Sequence, residues 1–145
     1  MNENHELVLH IYKDAEMASY TINKLLSDIK EKDNKIKKTV ECVLKEYEEW
    51  KKKSKKYLKK ANAEISENGI FAKMMVNMSI KKEVINDNSD SAIADLLIQG
   101  VAMGTLSMEK KLKQYDNEAD KKEISFAKEF LKFQEKTINT FKEYL

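Results

Sequence analysis

The sequence predicts an all-α fold, an antiparallel four-helix bundle forming a single domain over residues 1–145, and three observations lead to that prediction. The chain has no Pro and three Gly, so it lacks the residues that build the many tight turns of β sandwiches and barrels. Charged residues make up 36% of the sequence, above the roughly 25% of an ordinary domain, as long solvated helices require. Apolar residues recur at steps of three and four along four long segments.

Composition excludes several classes of protein. The net charge of +2 and the 41% hydrophobic content are those of a folded chain, not a disordered one. No uninterrupted apolar run approaches 18 residues, so we expect no transmembrane segment, and the acidic start from Met1 to His10 does not resemble a signal peptide. The single cysteine, Cys42, favours a reducing cytosol and therefore a cytoplasmic protein. All 27 basic residues are Lys, which removes the bidentate Arg contacts typical of specific nucleic-acid recognition.

The first two segments predict a helical hairpin. The first helix spans about residues 4–31 and the second about 35–61, and we expect Asp33 or Asn34 to cap the second. The first helix should bury Leu7, Val8, Ile11, Tyr12, Ala15, Ala18, Ile22, Leu25, Leu26 and Ile29. The second should bury Ile36, Val40, Val43, Tyr47, Trp50, Ser54, Tyr57 and Ala61, a heptad seam that Leu44 and Leu58 widen.

Between residues 62 and 89 the long periodicity breaks. We expect Ser66, Asn68 and Gly69 to stop the second helix, and residues 86–90 to form a turn that caps the third. A short crossover helix is predicted between these signals. Its apolar residues are Phe71, Met74, Met75, Met78, Val84 and Ile85.

The last two segments predict a second hairpin. The third helix spans about residues 91–115, and a turn follows in which Asp120 and Glu123 have capping-box spacing. The third helix should bury Ala94, Leu97, Ile98, Val101, Thr105, Met108, Leu112 and Tyr115. The fourth should bury Ile124, Ala127, Leu131, Gln134, Ile138, Phe141 and Leu145, with Phe126, Phe130 and Phe133 beside them.

The connection between the two hairpins is long, about 28 residues from 62 to 89. A connection of that length permits a crossover that leaves the second and third helices parallel, although the sequence leaves parallel and antiparallel arrangements open. An extended coiled-coil dimer would be the alternative to a bundle. The breaks near residues 33, 69, 88 and 117 argue against it.

Four short motifs carry a resemblance to a known family. They are DAEM at 14–17, KDNKIKK at 32–38, DNSDSAIADLLIQG at 87–100 and EADK at 118–121. In these motifs, and in the order hairpin, crossover, hairpin, the chain resembles a group of uncharacterised bacterial ferritin-like proteins. The resemblance implies a ferritin-like four-helix bundle, and it implies little about activity.

Ferritin-like di-iron sites use a Glu on each of two helices and a Glu-x-x-His on each of the others. This chain has no Glu-x-x-His, and its two histidines, His5 and His10, lie near the start of the sequence, where we expect ordinary surface residues. A metal site made of carboxylates alone remains possible, with Glu16 and Glu48 as candidates, because pairing the first hairpin about residue 33 brings them to similar heights. We otherwise predict no metal, no cofactor and no catalytic residue.

The third helix contains two glycines, Gly100 and Gly104. Each costs about 1 kcal/mol against Ala inside a helix. We expect both to make room for bulky side chains such as Tyr47, Trp50 or Phe130. The alternative is a small ligand pocket at the middle of the bundle.

Two further features have a structural and a functional interpretation. The stretch Lys51–Lys60 holds seven lysines and no acid, which fits a solvated helix end or weak binding to an anionic membrane or nucleic acid. Met74, Met75 and Met78 fit packing of the crossover helix, or a soft-metal site or partner groove. Cys42 has no neighbouring base in the sequence that would make it a nucleophile.

These observations predict a non-catalytic cytosolic binding or interaction protein that lacks the di-iron ligands. A homodimer through spare apolar surface on the crossover or on the Phe stripe of the fourth helix would fit this prediction. The alternatives are a metal-binding protein that uses only carboxylates and a weak binder of anionic surfaces through Lys51–Lys60.

Overall fold

The computed structural model describes residues 5–66, 68–69, 72–75, 78–80, 82, 87–115, 117 and 119–145. It contains four long helices: α1 Glu6–Asp28, α2 Lys37–Lys60, α3 Asp90–Tyr115 and α4 Lys121–Lys142. Residues 72–75 and 78–80 of the connection between α2 and α3 are also helical, and the described ranges contain no strand. The prediction of an all-α fold is confirmed. Phe71, Val84, Ile85, Asn86 and Asp116 lie outside the described residues.

Contacts between distant residues set the directions of the helices. Along α2 and α4 the contacts run in opposite senses, since Thr39 bonds Tyr144 while Tyr57 stacks on Phe126. His5–Glu123 and Asp14–Gln134 join the α1 region to α4. Glu6–Lys111 and Asn34–Asp90 join the two ends of α1 to α3. They make α1 parallel to α4 and antiparallel to α3. It follows that α2 and α3 are parallel, the point that the sequence left open.

One hydrophobic core is shared by all four helices. It is lined by Leu7, Ile11, Ala15, Ile22, Leu25, Val40, Val43, Tyr47, Ile93, Ala94, Leu97, Val101, Met108, Ala127, Phe130 and Phe141. The predicted faces of α1 to α3 agree with these residues. On α4 the buried stripe is rotated, because Phe130 and Thr137 are buried whereas Leu131 and Ile138 are partly buried. Leu145 was predicted to be buried and is exposed, because α4 ends at Lys142.

The start of α2 is capped from another helix. The carboxylate of Asp90 accepts from the backbone N–H of Lys35 at 3.1 Å and of Ile36 at 3.4 Å. Asn34 donates its side-chain amide to the same carboxylate at 2.9 Å and to the carbonyl of Asn88 at 2.8 Å. The expected cap from Asp33 or Asn34 is therefore wrong. Asn34 holds Asp90, and Asp90 accepts from the two N–H groups that immediately precede α2, so the turn leading into the helix is fixed from another helix.

The end of α2 is set by Asn62. This residue has a left-handed backbone with φ of 54°. The N–H of Ala63 donates to Leu58 at 2.9 Å and that of Asn62 donates to Lys59 at 3.1 Å. These are the two bonds of a Schellman motif, in which Asn is tolerated at the left-handed position. The helix thus ends before Ser66, Asn68 and Gly69, which the sequence favoured as its stop.

The other two helix starts agree better with the sequence. Ser89 accepts from the N–H of Ala92 at 3.2 Å at the start of α3, and Asp120 accepts from the N–H of Lys122 at 3.3 Å at the start of α4. Glu123 does not complete the predicted capping box. Its carboxylate, which is 1% exposed, is bound instead by His5 Nδ1 at 2.8 Å.

The connection between the hairpins packs against α1. The side chain of Asn68 donates to the carbonyl of Lys13 at 2.7 Å, and Ile80 is buried in the shared core. Met74, Met75 and Met78 are 53 to 65% exposed. We expected these methionines to pack the crossover helix against the bundle. That expectation is wrong, since they face outward.

The third helix is apolar along most of its length and yet partly exposed. An 18-residue window of α3 has a mean hydropathy of 1.3, and only 28% of that window is buried. By length and composition α3 is the one described helix that could cross a membrane. A core helix of a soluble protein passes the same test, so this is weak evidence for a span.

Candidate functional site: a buried polar cluster

Three side chains and the backbone of one glycine meet in the interior, and each comes from a different helix. The Nε2 amide of Gln134 on α4 donates to Oδ2 of Asp14 on α1 at 2.9 Å and to the hydroxyl of Tyr47 on α2 at 3.3 Å. Gly104 of α3 lies against the first pair. Gln134 and Tyr47 are fully buried, so hydrogen bonds within the protein replace those that water would make.

The absence of a side chain at Gly104 makes this arrangement possible. A Cβ atom there would lie 2.5 Å from Oδ2 of Asp14 and 2.9 Å from Nε2 of Gln134. The predicted clearance role is correct for Gly104, but its neighbours are these polar groups and not Tyr47, Trp50 or Phe130. Phe130, one of the expected neighbours, lies one helical turn before Gln134, the α4 residue that is found against Gly104.

Gly100 has no comparable role inside the chain. No heavy atom of another described residue lies within 4 Å of the position of its missing Cβ, and the residue is exposed. The expected clearance for bulky side chains is therefore wrong for Gly100. The two glycines of the same helix face different environments.

Burial changes the ionisation of Asp14. Loss of hydration raises the pKa of its carboxyl from 3.8 to about 6, and the hydrogen bond from Gln134 opposes this rise. The carboxyl is thus poised to take up a proton just below neutral pH. Burial, followed by the negative charge of Asp14, also raises the pKa of Tyr47, so its hydroxyl stays protonated.

His10 lies at the edge of the same cluster, four residues before Asp14 on α1. Burial and the positive charge of Lys111 lower its pKa from 6.5 to about 4, while a hydrogen bond to the backbone of Gly104 opposes the change. Its Nε2 is 4.0 Å from Oδ2 of Asp14, too far for a hydrogen bond. Neither histidine is the ordinary surface residue expected, because His10 is 14% exposed and His5 binds buried Glu123.

The cluster offers few ligands for a metal. Among the described residues no group of three or more His, Cys, Asp and Glu side chains is placed to hold an ion. The cluster combines one carboxyl, one imidazole, one amide and one phenol. Two of its polar atoms, Oε1 of Gln134 and Nε2 of His10, have no hydrogen-bond partner among the described residues. The hydrogen bonds of Gln134 link α4 to α1 and α2, and Gly104 lets α3 pack against the same groups.

Glu16 and Glu48, the metal candidates of the sequence, have different surroundings. Glu16 is buried beside the crossover, where Nζ of Lys73 lies 2.6 Å from its Oε1 and Nδ2 of Asn68 lies 3.5 Å from its Oε2. The Lys73 contact is an ion pair, not a well-directed hydrogen bond, since Oε1 has no such bond. Glu48 is exposed on α2. An ammonium group thus occupies the position that a cation would need at Glu16.

The lysines of Lys51–Lys60 line the outer side of α2. Ser54 and Leu58 between them are buried, as the sequence predicts for a solvated helix end. The ammonium of Lys53 lies 5.4 Å from the centre of the Trp50 ring. From α4, Lys122 lies 5.6 Å from the ring of Tyr57 and so adds a cation to the same surface.

Sequence reasoning missed Asp14 and the polar function of Gln134. Gln134 was placed in the stripe of α4 only as a core position. Asp14 takes an inward position on α1 between Ile11 and Ala18, at steps of three and four, and a carboxylate within an apolar stripe is the signal that could have revealed it. Its partner is 120 residues away in the chain, which no local pattern indicates.

Comparison with protein-family models, with curated proteins and with solved structures finds no match to this chain. Its function is therefore inferred from its own residues.

Proposed function

We propose that the chain is a ferritin-like four-helix bundle without the di-iron ligand set, and that it acts in the cytosol as a non-catalytic binding or interaction protein. The observation that carries the proposal is the hydrogen bond from Gln134 to Asp14. It places a neutral amide against the carboxylate of Asp14, at the level where all four helices meet.

The topology supports the ferritin-like part of the proposal. The two antiparallel hairpins are joined by a connection that packs along α1, and α2 and α3 are parallel. Ferritin-like bundles have one such long crossover. In those proteins carboxylates and histidines from all four helices point inward at one level, and here the corresponding level holds Asp14, Tyr47, Gly104 and Gln134.

The chemistry of the cluster supports a structural role. Metal binding at Asp14 would remove the acceptor of Gln134 and leave a buried amide donor unpaired, at a cost of about 1–3 kcal/mol. Gly104 lets α3 close on both groups, so little space remains for an ion and its ligands. The interior polar groups thus specify the packing of the helices.

Surface composition supports a binding role. The large hydrophobic side chains that are exposed belong mainly to α3 and to the crossover: Met74, Met75, Met78, Met103 and Leu106. Exposed apolar side chains grouped on one element mark sites of interaction, so α3 and the crossover are two separate candidate surfaces. We place the function of the protein on its exposed apolar surface and not in its interior.

Elemental analysis of untagged protein tests the proposal. We expect no stoichiometric Fe, Mn or Zn after purification, and no change in melting temperature when each metal is added. A stoichiometric metal that is lost in Asp14→Asn or Glu16→Ala, but kept in Glu48→Ala, would contradict the proposal and establish a metal protein. Asn keeps the acceptor for Gln134, so the Asp14 variant retains the fold.

A second candidate function is weak binding to anionic surfaces. It is favoured by the position of Lys122, which brings the first turn of α4 next to the lysines of α2. This candidate predicts salt-sensitive retention on heparin that falls when Lys53, Lys56 and Lys60 are replaced by Gln. Lack of retention at low salt would remove it.

A further inference from the structure

One face of α3 carries no charge between Ala92 and Ser107 and is exposed from Gln99 onward, whereas Ala92 and Leu96 at its start are half-buried and Leu96 packs against the core. This α3 outer face consists of Ala92, Leu96, Gln99, Gly100, Met103, Leu106 and Ser107. Met103 is 73% exposed and Leu106 is 53% exposed. At 100° per residue the seven positions form one continuous stripe about four turns long. An uncharged stripe of this length is unusual on a chain in which 36% of residues are charged.

Gly100 gives independent support that another molecule approaches this face. It lies in the interior of α3, where Gly costs about 1 kcal/mol against Ala. Packing within the chain does not explain it, since no described atom comes near its missing Cβ. The contrast with Gly104, four residues later, shows what an intramolecular reason looks like. A small residue on an exposed helix face permits close approach by a second backbone.

We propose that a second copy of this chain covers the α3 outer face, with the two α3 helices packed antiparallel about a two-fold axis beside Met103. The proposal names the partner in the function proposed above and rests on it in that respect. Such a contact is self-complementary, because each copy offers the same stripe to the other. Ser107 of one copy then faces Gln99 of the partner subunit, and Leu106 faces Gly100 of the partner subunit.

The charges at the rim of the face identify the occupant. Asp95 lies eight residues before Met103, and Lys110 lies seven residues after it. Both are exposed and lie on the same side of the stripe. Antiparallel pairing about Met103 sets Asp95 opposite Lys110 of the partner subunit, and symmetry repeats the pair. Parallel pairing would place each charge level with its own copy, and it would bring no Asp95 together with a Lys110.

The same charges disfavour a lipid bilayer as the occupant. A spanning α3 would have to bring Asp95 into or close to the hydrocarbon, where an ionised carboxylate is strongly disfavoured. It would also have to leave the core that holds Ile93, Leu97 and Met108. A second copy leaves the core intact and leaves Asp95 with the hydrogen bond that it accepts from Gln99 at 3.1 Å.

Sedimentation equilibrium over a wide range of protein concentration is the first test. We expect a monomer–dimer equilibrium for the wild type and a monomer for Met103→Lys. Met78→Lys is the matched control, since it makes the same change at a 65% exposed methionine of the crossover, and it should still dimerise. Circular dichroism shows that each variant is folded. A wild-type monomer at every concentration would overturn the proposal, and so would loss of the dimer in the control variant alone.

Cysteine pairing tests the direction of the helices. In a Cys42→Ser background, Met103→Cys should form an intermolecular disulfide on mild oxidation, because packed helix axes are about 8–10 Å apart at the contact. Gln114→Cys, on the same side of α3, should not, since the antiparallel arrangement separates its two copies by about 33 Å along the axis. Cross-linking at both positions would indicate parallel helices and overturn the arrangement.

Exchanging the charges of Asp95 and Lys110 tests whether these two residues pair across the interface. Asp95→Lys and Lys110→Asp should each raise the Kd of the dimer by roughly tenfold, and the double variant should restore it. A double variant that dimerises no better than either single one would overturn the pairing.

Two outcomes separate this inference from the proposed function. A monomer by sedimentation contradicts the dimer, whereas the metal analysis above is unaffected by the oligomeric state. Flotation of wild-type protein with neutral phosphatidylcholine vesicles, abolished by Met103→Lys, would assign the face to a membrane and overturn the dimer.

Discussion

Gln134 donates to Asp14 across 2.9 Å, and this bond joins α4 to α1 over a separation of 120 residues. It ties the two hairpins together at the level where Gly104 admits the third helix and Tyr47 supplies the fourth partner. The four helices meet at a polar contact inside an apolar core. A hydrogen bond needs one particular partner at one distance, so this contact fixes the relative heights of the helices more narrowly than apolar packing alone does.

The two glycines of α3 give a matched pair of substitutions. Gly104→Ala should lower the free energy of unfolding by about 1–3 kcal/mol, because the new methyl group clashes with Asp14 and Gln134. Gly100→Ala should raise it by up to about 1 kcal/mol, because Ala is the better helix former and open space surrounds this position. Urea denaturation in a Met103→Lys background, where association does not contribute, measures both. Equal effects at the two positions would contradict the difference in environment.

Asp14 and His10 should oppose each other as pH falls. The folded-state pKa of Asp14 is about 6, above its unfolded value of 3.8. The folded state therefore takes up this proton first, and stability rises between about pH 6 and pH 4. The folded-state pKa of His10 is about 4, below its unfolded value of 6.5. Here the unfolded state takes up the proton first, and stability falls over nearly the same range.

Single variants should separate these opposing contributions. On going from about pH 7 to pH 4, Asp14→Asn should lose stability relative to wild type and His10→Gln should gain it. Each difference should be on the order of 3 kcal/mol at about 1.4 kcal/mol per pKa unit. Denaturant unfolding at several pH values measures them, with Asp33→Asn, which removes an exposed carboxylate, as the control. Parallel pH profiles for wild type and both variants would show that neither group is buried as described.

Asp90 should stabilise a helix to which it does not belong. Asp90→Ala removes the acceptor for the N–H groups of Lys35 and Ile36 and should lower the unfolding free energy by about 0.5–2 kcal/mol. Asp33→Ala, in the same turn, should change it by less than about 0.5 kcal/mol. Hydrogen exchange locates the effect, and the first turn of α2 should lose protection in the Asp90 variant. Loss of protection only within α3 would contradict the contact between helices.

Position 62 should accept Gly at a lower cost in stability than Ala. Its left-handed backbone costs roughly 1–2 kcal/mol for an ordinary residue, so Asn62→Gly should leave stability unchanged or raise it slightly, while Asn62→Ala should lower it by up to that amount. Thermal unfolding compares the two variants. A more stable Ala variant would show that α2 continues past Asn62.

Much of the secondary structure was predictable because it depends on local pattern. Steps of three and four placed α1 to α4 within a few residues of their observed ends, and Ser89 and Asp120 cap the helices that follow them. The predictions that were wrong concern the two ends of α2. Asp90 of α3 holds the turn before its start, and Asn62 ends it through a left-handed backbone conformation. Propensity at one position cannot reveal a cap supplied from 54 residues away.

Residue type and local spacing were enough to predict an all-helical chain, most of the buried faces of α1 to α3, and the lack of a Glu-x-x-His motif. The packing of the helices was needed to show that Asp14 meets Gln134, that Lys73 pairs with Glu16, and that Gly100 and Gly104 have different neighbours. Those contacts depend on the relative height at which the two hairpins pack. A shift of a single helical turn exchanges the partner at every interior position while leaving the hydrophobic pattern unchanged.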